Sequence, residues 1–153
     1  MSGNSLPRGP IADLLLAVDH VGIAVPDLEA GIAFYRDTLG LELRHREDNT
    51  EQRVTEVMLA PAGRPDSTQL QLLAPLGDDS PIAKFLDRAG PGLQHLALRV
   101  TDARTAGDRL RTAGLRLLYD LPRRGTADSL INFVHPRDTG GVLIELVQPV
   151  GQN

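Results

Sequence analysis

Two histidines, one glutamine and two glutamates carry the chemistry open to this sequence. His20 lies in Asp19-His20-Val21-Gly22-Ile23-Ala24-Val25-Pro26-Asp27, and His95 follows 75 residues later in the matching run Gln94-His95-Leu96-Ala97-Leu98-Arg99-Val100-Thr101-Asp102. Gln71, in Leu70-Gln71-Leu72-Leu73-Ala74-Pro75, meets Glu145 in Ile144-Glu145-Leu146-Val147-Gln148-Pro149, 74 residues later. A strand alternates its faces, so His20 shares one with Val18, Gly22 and Ala24, His95 with Leu93 and Ala97, Gln71 with Leu73, and Glu145 with Leu143 and Val147. If the two units face one another across a cup, the four polar side chains converge as two imidazoles, a carboxamide and a carboxylate. That is a nitrogen and oxygen set suited to a divalent metal. Any one of them alone is ordinary as a hydrogen-bonded core residue. Four at matched positions of a repeat are not, and Glu145 among apolar neighbours is costly to bury without a charged partner.

Glu56 breaks the repeat. It shares a strand face with Val54 and Met58, and its counterpart 75 residues on is Ile131. Aimed into the cup, a partly desolvated carboxylate rises toward the pKa range useful for a general base; pointed outward, it is an edge-strand glutamate. His45, in Arg44-His45-Arg46-Glu47-Asp48, and His135, before Pro136, read as strand-end residues. No glycine-rich phosphate loop is present.

These residues need a scaffold that repeats. Asp27 and Asp102 suit helix N-caps, and the helical stretches after them, Leu28 to Thr38 and Ala103 to Ala113, end at Gly40 and Gly114. Met58-Leu59-Ala60-Pro61 matches Phe133-Val134-His135-Pro136. Further extended runs are expected over Leu41 to Arg46 and Leu115 to Tyr119, with turn-rich segments at Ala62 to Ser67 and Pro122 to Ser129. Each half is one strand, one helix and three strands. The expected fold is α+β: two tandem βαβββ modules, 17–75 and 92–149, forming one curved, cup-shaped mixed sheet with helices outside. A linker, 76–91, holds a helix over Ile82 to Arg88 that starts at Ser80-Pro81. Residues 1–16 are expected to be an N-terminal tail.

Composition narrows the partners. The 153 residues suit one domain, 17–149, and the absence of cysteine excludes disulfides, thiolate metal sites and cysteine nucleophiles. Lys84 is the only lysine, which limits Schiff-base chemistry to one candidate in an amphipathic helix. A net charge of −4 argues against nucleic acid as a partner. No apolar run approaches the roughly 18 residues of a membrane span, and Leu14 to Val18 is too short for a secretion signal, so a cytoplasmic protein is expected.

The runs Asp19 to Val25, Ser80-Pro81-Ile82-Ala83-Lys84-Phe85-Leu86 and His135-Pro136-Arg137-Asp138-Thr139-Gly140-Gly141-Val142-Leu143-Ile144-Glu145-Leu146 closely resemble the methylmalonyl-CoA epimerases, over about residues 17 to 149. That family belongs to the vicinal-oxygen-chelate superfamily, whose paired βαβββ modules agree with the repeat. The resemblance implies His20, Gln71, His95 and Glu145 as ligands of one divalent ion per chain, with cobalt, manganese or zinc the leading candidates. It also implies Glu56 as an acid/base group, an acyl-CoA substrate and a homodimer. Gln94 departs from relatives that often carry a second histidine there; on the opposite strand face, it should affect the metal little. The implied reaction removes the proton between a thioester and a carboxylate and returns it on the other face. Glu56 is the choice for one base and Glu145 for the other, although metal coordination weakens the basicity of Glu145. Arg123, Arg124 and Arg137 could serve the CoA nucleotide, but solvated surface is the expected role of each. Three rivals share the fold: a glyoxalase-type lyase or isomerase, an extradiol dioxygenase that needs open iron positions, and a non-enzymatic binding module that needs neither the four ligands nor Glu56.

Overall fold

The computed structural model describes residues 8–151. The first half runs β1 (Leu15–Ala24), α1 (Leu28–Ile32), β2 (Glu42–Asn49), β3 (Val54–Ala60) and β4 (Gln69–Pro75). After the linking helix α2 (Pro81–Ala89), the second half runs β5 (Gly92–Val100), α3 (Ala103–Thr112), β6 (Arg123–Arg124), β7 (Leu130–Val134) and β8 (Ile144–Gln148). The caps act as their residue types require: Asp27 accepts from the Ala30 amide at 3.1 Å, Asp102 from Thr105 at 2.9 Å and Ser80 from Ile82 at 3.1 Å. Gly40 and Gly114 stop the helical stretches at φ of +83° and +97°, which a side chain disfavours. The stretch after α1 widens into a π-helical turn over Ala33–Thr38.

All eight strands form one sheet in the order β2-β3-β4-β1-β5-β8-β7-β6. From the centre outward the halves read β1-β4-β3-β2 and β5-β8-β7-β6, the same sequence twice, with β1 and β5 antiparallel between them. One face is covered by helices. Leu28 and Ile32 pack on Val57, Leu59 and Leu72, while Ala103, Ala106 and Leu110 pack on Val100, Val134 and Leu146. The other face holds Ala24, Val54 and Leu73, closed by Ile82 of α2, and Ala97, Ile131 and Val147. This inner face is the one that carries the polar residues.

Two expectations are corrected. Leu115 to Tyr119 is not a strand: it keeps a single bridge, Leu117 to Val134, and the two-residue β6 follows instead. Two backbone bonds to β7 persist, Leu118 N–H to Phe133 and His135 N–H to Arg116, both at 2.8 Å; at Tyr119 the Asn132 carboxamide takes over, accepting from the amide at 3.1 Å and donating to the carbonyl at 3.0 Å, and the ladder stops. Pro122 then has no N–H to offer. The expected tail also ends early. Ile11 and Leu14 are buried against Val100 and α3, and the Leu14 carbonyl accepts from Thr101 at 2.9 Å. The part of that tail at 1–7 lies outside the described residues. Among the described residues no helix is long and apolar enough to cross a membrane.

Candidate functional site

The antiparallel register of β1 and β5 sets Gly22 opposite His95 and Ala97 opposite His20, so the two imidazoles flank the centre of the sheet. Their Nε2 atoms stand 3.1 Å apart. The close approach needs glycine at position 22, where a Cβ would fall 2.1 Å from His95 Cε1. β8, parallel to β5, brings Glu145 Oε1 to 3.6 Å from His20 Nε2 and Oε2 to 3.4 Å from His95 Nε2. One ligand atom from each of His20, His95 and Glu145 lies within 4.8 Å of the others, and all three residues are buried.

Gln71 arrives from β4 and is 3% exposed. Its carboxamide nitrogen donates to Glu56 Oε2 and to Thr126 Oγ1, both at 2.9 Å. Its oxygen is buried without a hydrogen-bond partner among the described residues. A buried carbonyl lone pair left unpaired is costly, and a cation would relieve it. The donor set of imidazole, carboxylate and amide oxygen therefore fits a divalent ion.

Both histidines are anchored from behind. His20 Nδ1 lies 2.7 Å from Asp19 Oδ2, and Asp19 Oδ1 accepts from Arg99 at 2.7 Å. His95 Nδ1 donates to the side-chain carboxamide oxygen of Gln94. With each Nδ1 engaged, Nε2 is the nitrogen turned to a metal. Burial opposes charge on His20, but the hydrogen bond to Asp19 and the nearby Glu145 outweigh it and raise its pKa. Burial and the neighbouring His20 charge hold His95 down at about 3. Burial pushes Glu145 up to about 7, against the pull of His20.

Glu56 points inward and is 2% exposed. Burial raises its pKa to about 7, the Thr126 hydrogen bond working against that rise and the carboxylates of Glu47 and Glu145 adding to it. Thr126 donates to Oε1 and Gln71 to Oε2, so both oxygens are oriented. Glu56, Gln71, His95, Glu145 and Thr126 border a cavity of about 190 Å³ whose other walls include Leu73, Ile131 and Phe133. His20 borders a second cavity, with His45 and Ser129, that also reaches Glu145 and Thr126.

The structure thus brings together all five residues singled out from the sequence. His135 caps a 3-10 turn by accepting from the Arg137 amide, and His45 lies on the edge strand β2. One expectation changes: Gln94 sits on the alternate strand position, yet its carboxamide bends round to the His95 ring. Arg124, with a side chain 41% exposed, pairs with Glu47 and Asp128 at the surface. Asp19 and Thr126 were missed. Asp19 occupies the position equivalent to Gln94, a signal already present in the repeat; Thr126 lies in a segment without periodicity.

The profile of the glyoxalase/bleomycin resistance protein/dioxygenase superfamily matches residues 19–133. The chain belongs to that superfamily. Within it, the chain is 42% identical over 134 residues to the ethylmalonyl-CoA/methylmalonyl-CoA epimerase of Cereibacter sphaeroides, covering 86% of this chain and 96% of the relative. It is similar to the crystal structure of methylmalonyl-CoA epimerase from Mycobacterium tuberculosis, with a TM-score of 0.85, 54% identity and 90% of each chain covered. A variant of the Streptomyces coelicolor methylmalonyl-CoA epimerase in complex with 2-nitronate-propionyl-CoA matches with a TM-score of 0.85 and 43% identity, covering 91% of this chain and 98% of that one.

Proposed function

We propose that the protein interconverts the (R) and (S) epimers of methylmalonyl-CoA, with His20, Gln71, His95 and Glu145 holding one divalent ion. Cobalt, manganese and zinc are the candidate ions. The observation that carries this reading is the Gln71 carboxamide, whose nitrogen grips a buried carboxylate of pKa about 7 while its oxygen stays unpaired beside the ligand set. One residue links base and metal site. A bound divalent cation supplies Lewis-acid stabilisation of the negative charge that develops when the α-proton leaves. Glu56 takes that proton, its two oxygens held by Thr126 and Gln71, and a pKa near neutrality suits both uptake and release. Glu145 is the group proposed to return a proton on the opposite face.

The cavity of about 190 Å³ takes the acyl end, and the nucleotide stays outside. A nitronate is planar at carbon and anionic on oxygen, as the enolate of this reaction is, and the Streptomyces coelicolor relative binds a CoA thioester bearing one. An extradiol dioxygenase needs open metal positions, and the unpaired Gln71 oxygen takes one of them. The likeness to the epimerases also carries a homodimer, and the same proposal keeps the cytoplasmic location expected from the sequence. The test is to supply one epimer to metal-loaded protein and follow the other. A near-equal mixture that fails to form after chelation and returns with cobalt, manganese or zinc is expected; a metal-loaded protein that leaves the epimer unchanged would refute the reading.

A further inference from the structure

The sheet has two free edges, β2 and β6, and they meet without strand pairing. Glu47 of β2, in register with Glu56 of β3, reaches across the gap into the second half. Its Oε1 accepts from the Ala127 amide at 2.6 Å, and its Oε2 from Arg124 Nη2 at 3.3 Å. His45 Nε2 lies 3.3 Å from the same Oε1. The segment it holds is unusual, because Ala127 and Asp128 adopt φ of +53° and +60°, a left-handed conformation that side chains avoid unless the surroundings fix it. Thr126, within this segment, makes the hydrogen bond to Glu56 and accepts the one from Gln71. Burial works against charge on Glu47, but the Ala127 amide and His45 outweigh it, so its pKa stays below the usual carboxylate range.

We propose that Glu47 is a positioning residue for Glu56: by clasping residues 124–127 across the seam of the cup, it sets the Thr126 hydroxyl on the catalytic carboxylate. The proposal rests on the reading of Glu56 as a base. Glu47 never touches the reacting carbon in this scheme. Its charge also bears directly on Glu56, raising that pKa, but its positioning effect runs through Thr126, and a displacement of about 1 Å at a catalytic group is enough to cost on the order of 10²-fold in rate. The halves stay joined through the β1–β5 pairing when Glu47 is altered, and a second seam contact, Tyr119 Oη donating to Gln52 at 3.0 Å, does not involve Glu47.

The test compares Glu47→Ala, Glu47→Gln, Thr126→Val and the Glu47→Ala/Thr126→Val double variant in metal-loaded full-length protein. Glu47→Ala should lower kcat roughly 10–100-fold with KM within about threefold, the pattern of a lost transition-state arrangement. Glu47→Gln, whose amide oxygen can still accept from Ala127, should recover most of that loss. The double variant should be no worse than Thr126→Val, because the two act as one unit. Losses that multiply in the double variant, or wild-type kcat in Glu47→Ala, would overturn the clasp. Amide exchange at residues 127–129, measured without substrate, should quicken in Glu47→Ala while metal content and Tm hold. Faster exchange alongside a wild-type protein that epimerises nothing would refute the epimerase reading and leave the clasp standing. Unchanged exchange alongside active wild-type protein would refute the clasp alone.

Discussion

Behind His20 stands a carboxylate, Asp19, and behind His95 a carboxamide, Gln94, at the same position of the two halves. Each engages its histidine at Nδ1, but they leave the imidazoles different. His20 is raised in pKa, while His95, with no anion behind it, is pressed down to about 3 by burial and by His20. The same division runs through the site. β3 carries Glu56 where β7 carries Ile131, both buried on the inner face, and β4 carries neutral Gln71 where β8 carries Glu145. Duplication supplies matched positions that converge; chemistry comes from filling them unequally. A fully symmetric cup would hold a metal, yet could not offer two different carboxylates to a substrate.

The largest losses should come from removing what the halves share. His95→Ala should lose metal and, with it, activity by about 10³-fold, several kcal/mol of Lewis-acid stabilisation being at stake. Gly22→Ala should follow it, since the added Cβ would meet the His95 ring, although the equivalent residue of the other half is already alanine, Ala97. Metal analysis of the purified variants checks both. Full metal occupancy in Gly22→Ala would show that the ring can move aside.

The unequal carboxylate also affects stability. Glu56 has a folded-state pKa of about 7 against an ordinary 4.5, so between those values the folded protein binds more protons than the unfolded chain. Stability of the metal-free protein is therefore lost as pH rises from 4.5 to 7. Glu56→Gln removes the ionisation, and at pH 8 the variant should be more stable than wild type by up to about 3 kcal/mol, less what the amide loses by facing two donors. At pH 4 the advantage should vanish. Thermal melts of both proteins across this range measure it, and a pH-independent difference would contradict the raised pKa.

A smaller effect separates the anchors. Asp19→Ala should weaken metal binding by about 10–100-fold, and Gln94→Ala should sit at the lower end of that range because its hydrogen bond is not charge-assisted. Titration calorimetry with zinc would reveal the order. Smallest of all, Asp27→Ala and Asp102→Ala should each cost about 1 kcal/mol of stability, the usual value of an N-cap, in both halves alike. Denaturant melts that differ by more would show that one cap carries tertiary load.

The repeat made the fold readable because an offset of 74 or 75 fixes strand, helix and face together, and strand alternation then sent His20, Gln71, Glu56, His95 and Glu145 to one side. What escaped the sequence had no period. Asp19 and Gln94 lie on the alternate face by strand logic, and only their short reach round to a neighbouring ring brings them to the site. Thr126 depends on left-handed backbone at Ala127 and Asp128, which no residue type announced. Leu115 to Tyr119 has the composition of a strand and starts to pair with β7, but the side chain of Asn132 on that strand takes the Tyr119 hydrogen bonds and ends the pairing. Ile11 and Leu14 looked like part of a tail because so short an apolar pattern shows nothing of the surface it covers.

In the proposed reaction two unlike carboxylates serve opposite faces of one carbon. This is tested most directly by Glu56→Gln in deuterated water, with each methylmalonyl-CoA epimer supplied in turn to metal-loaded protein. Conversion should fall by on the order of 10²–10⁴, the usual contribution of a general base, with metal content unchanged. One epimer should still exchange its α-proton for deuterium without inverting, through the surviving base. Wild-type conversion by the variant, or loss of exchange from both epimers together with the metal, would contradict the account.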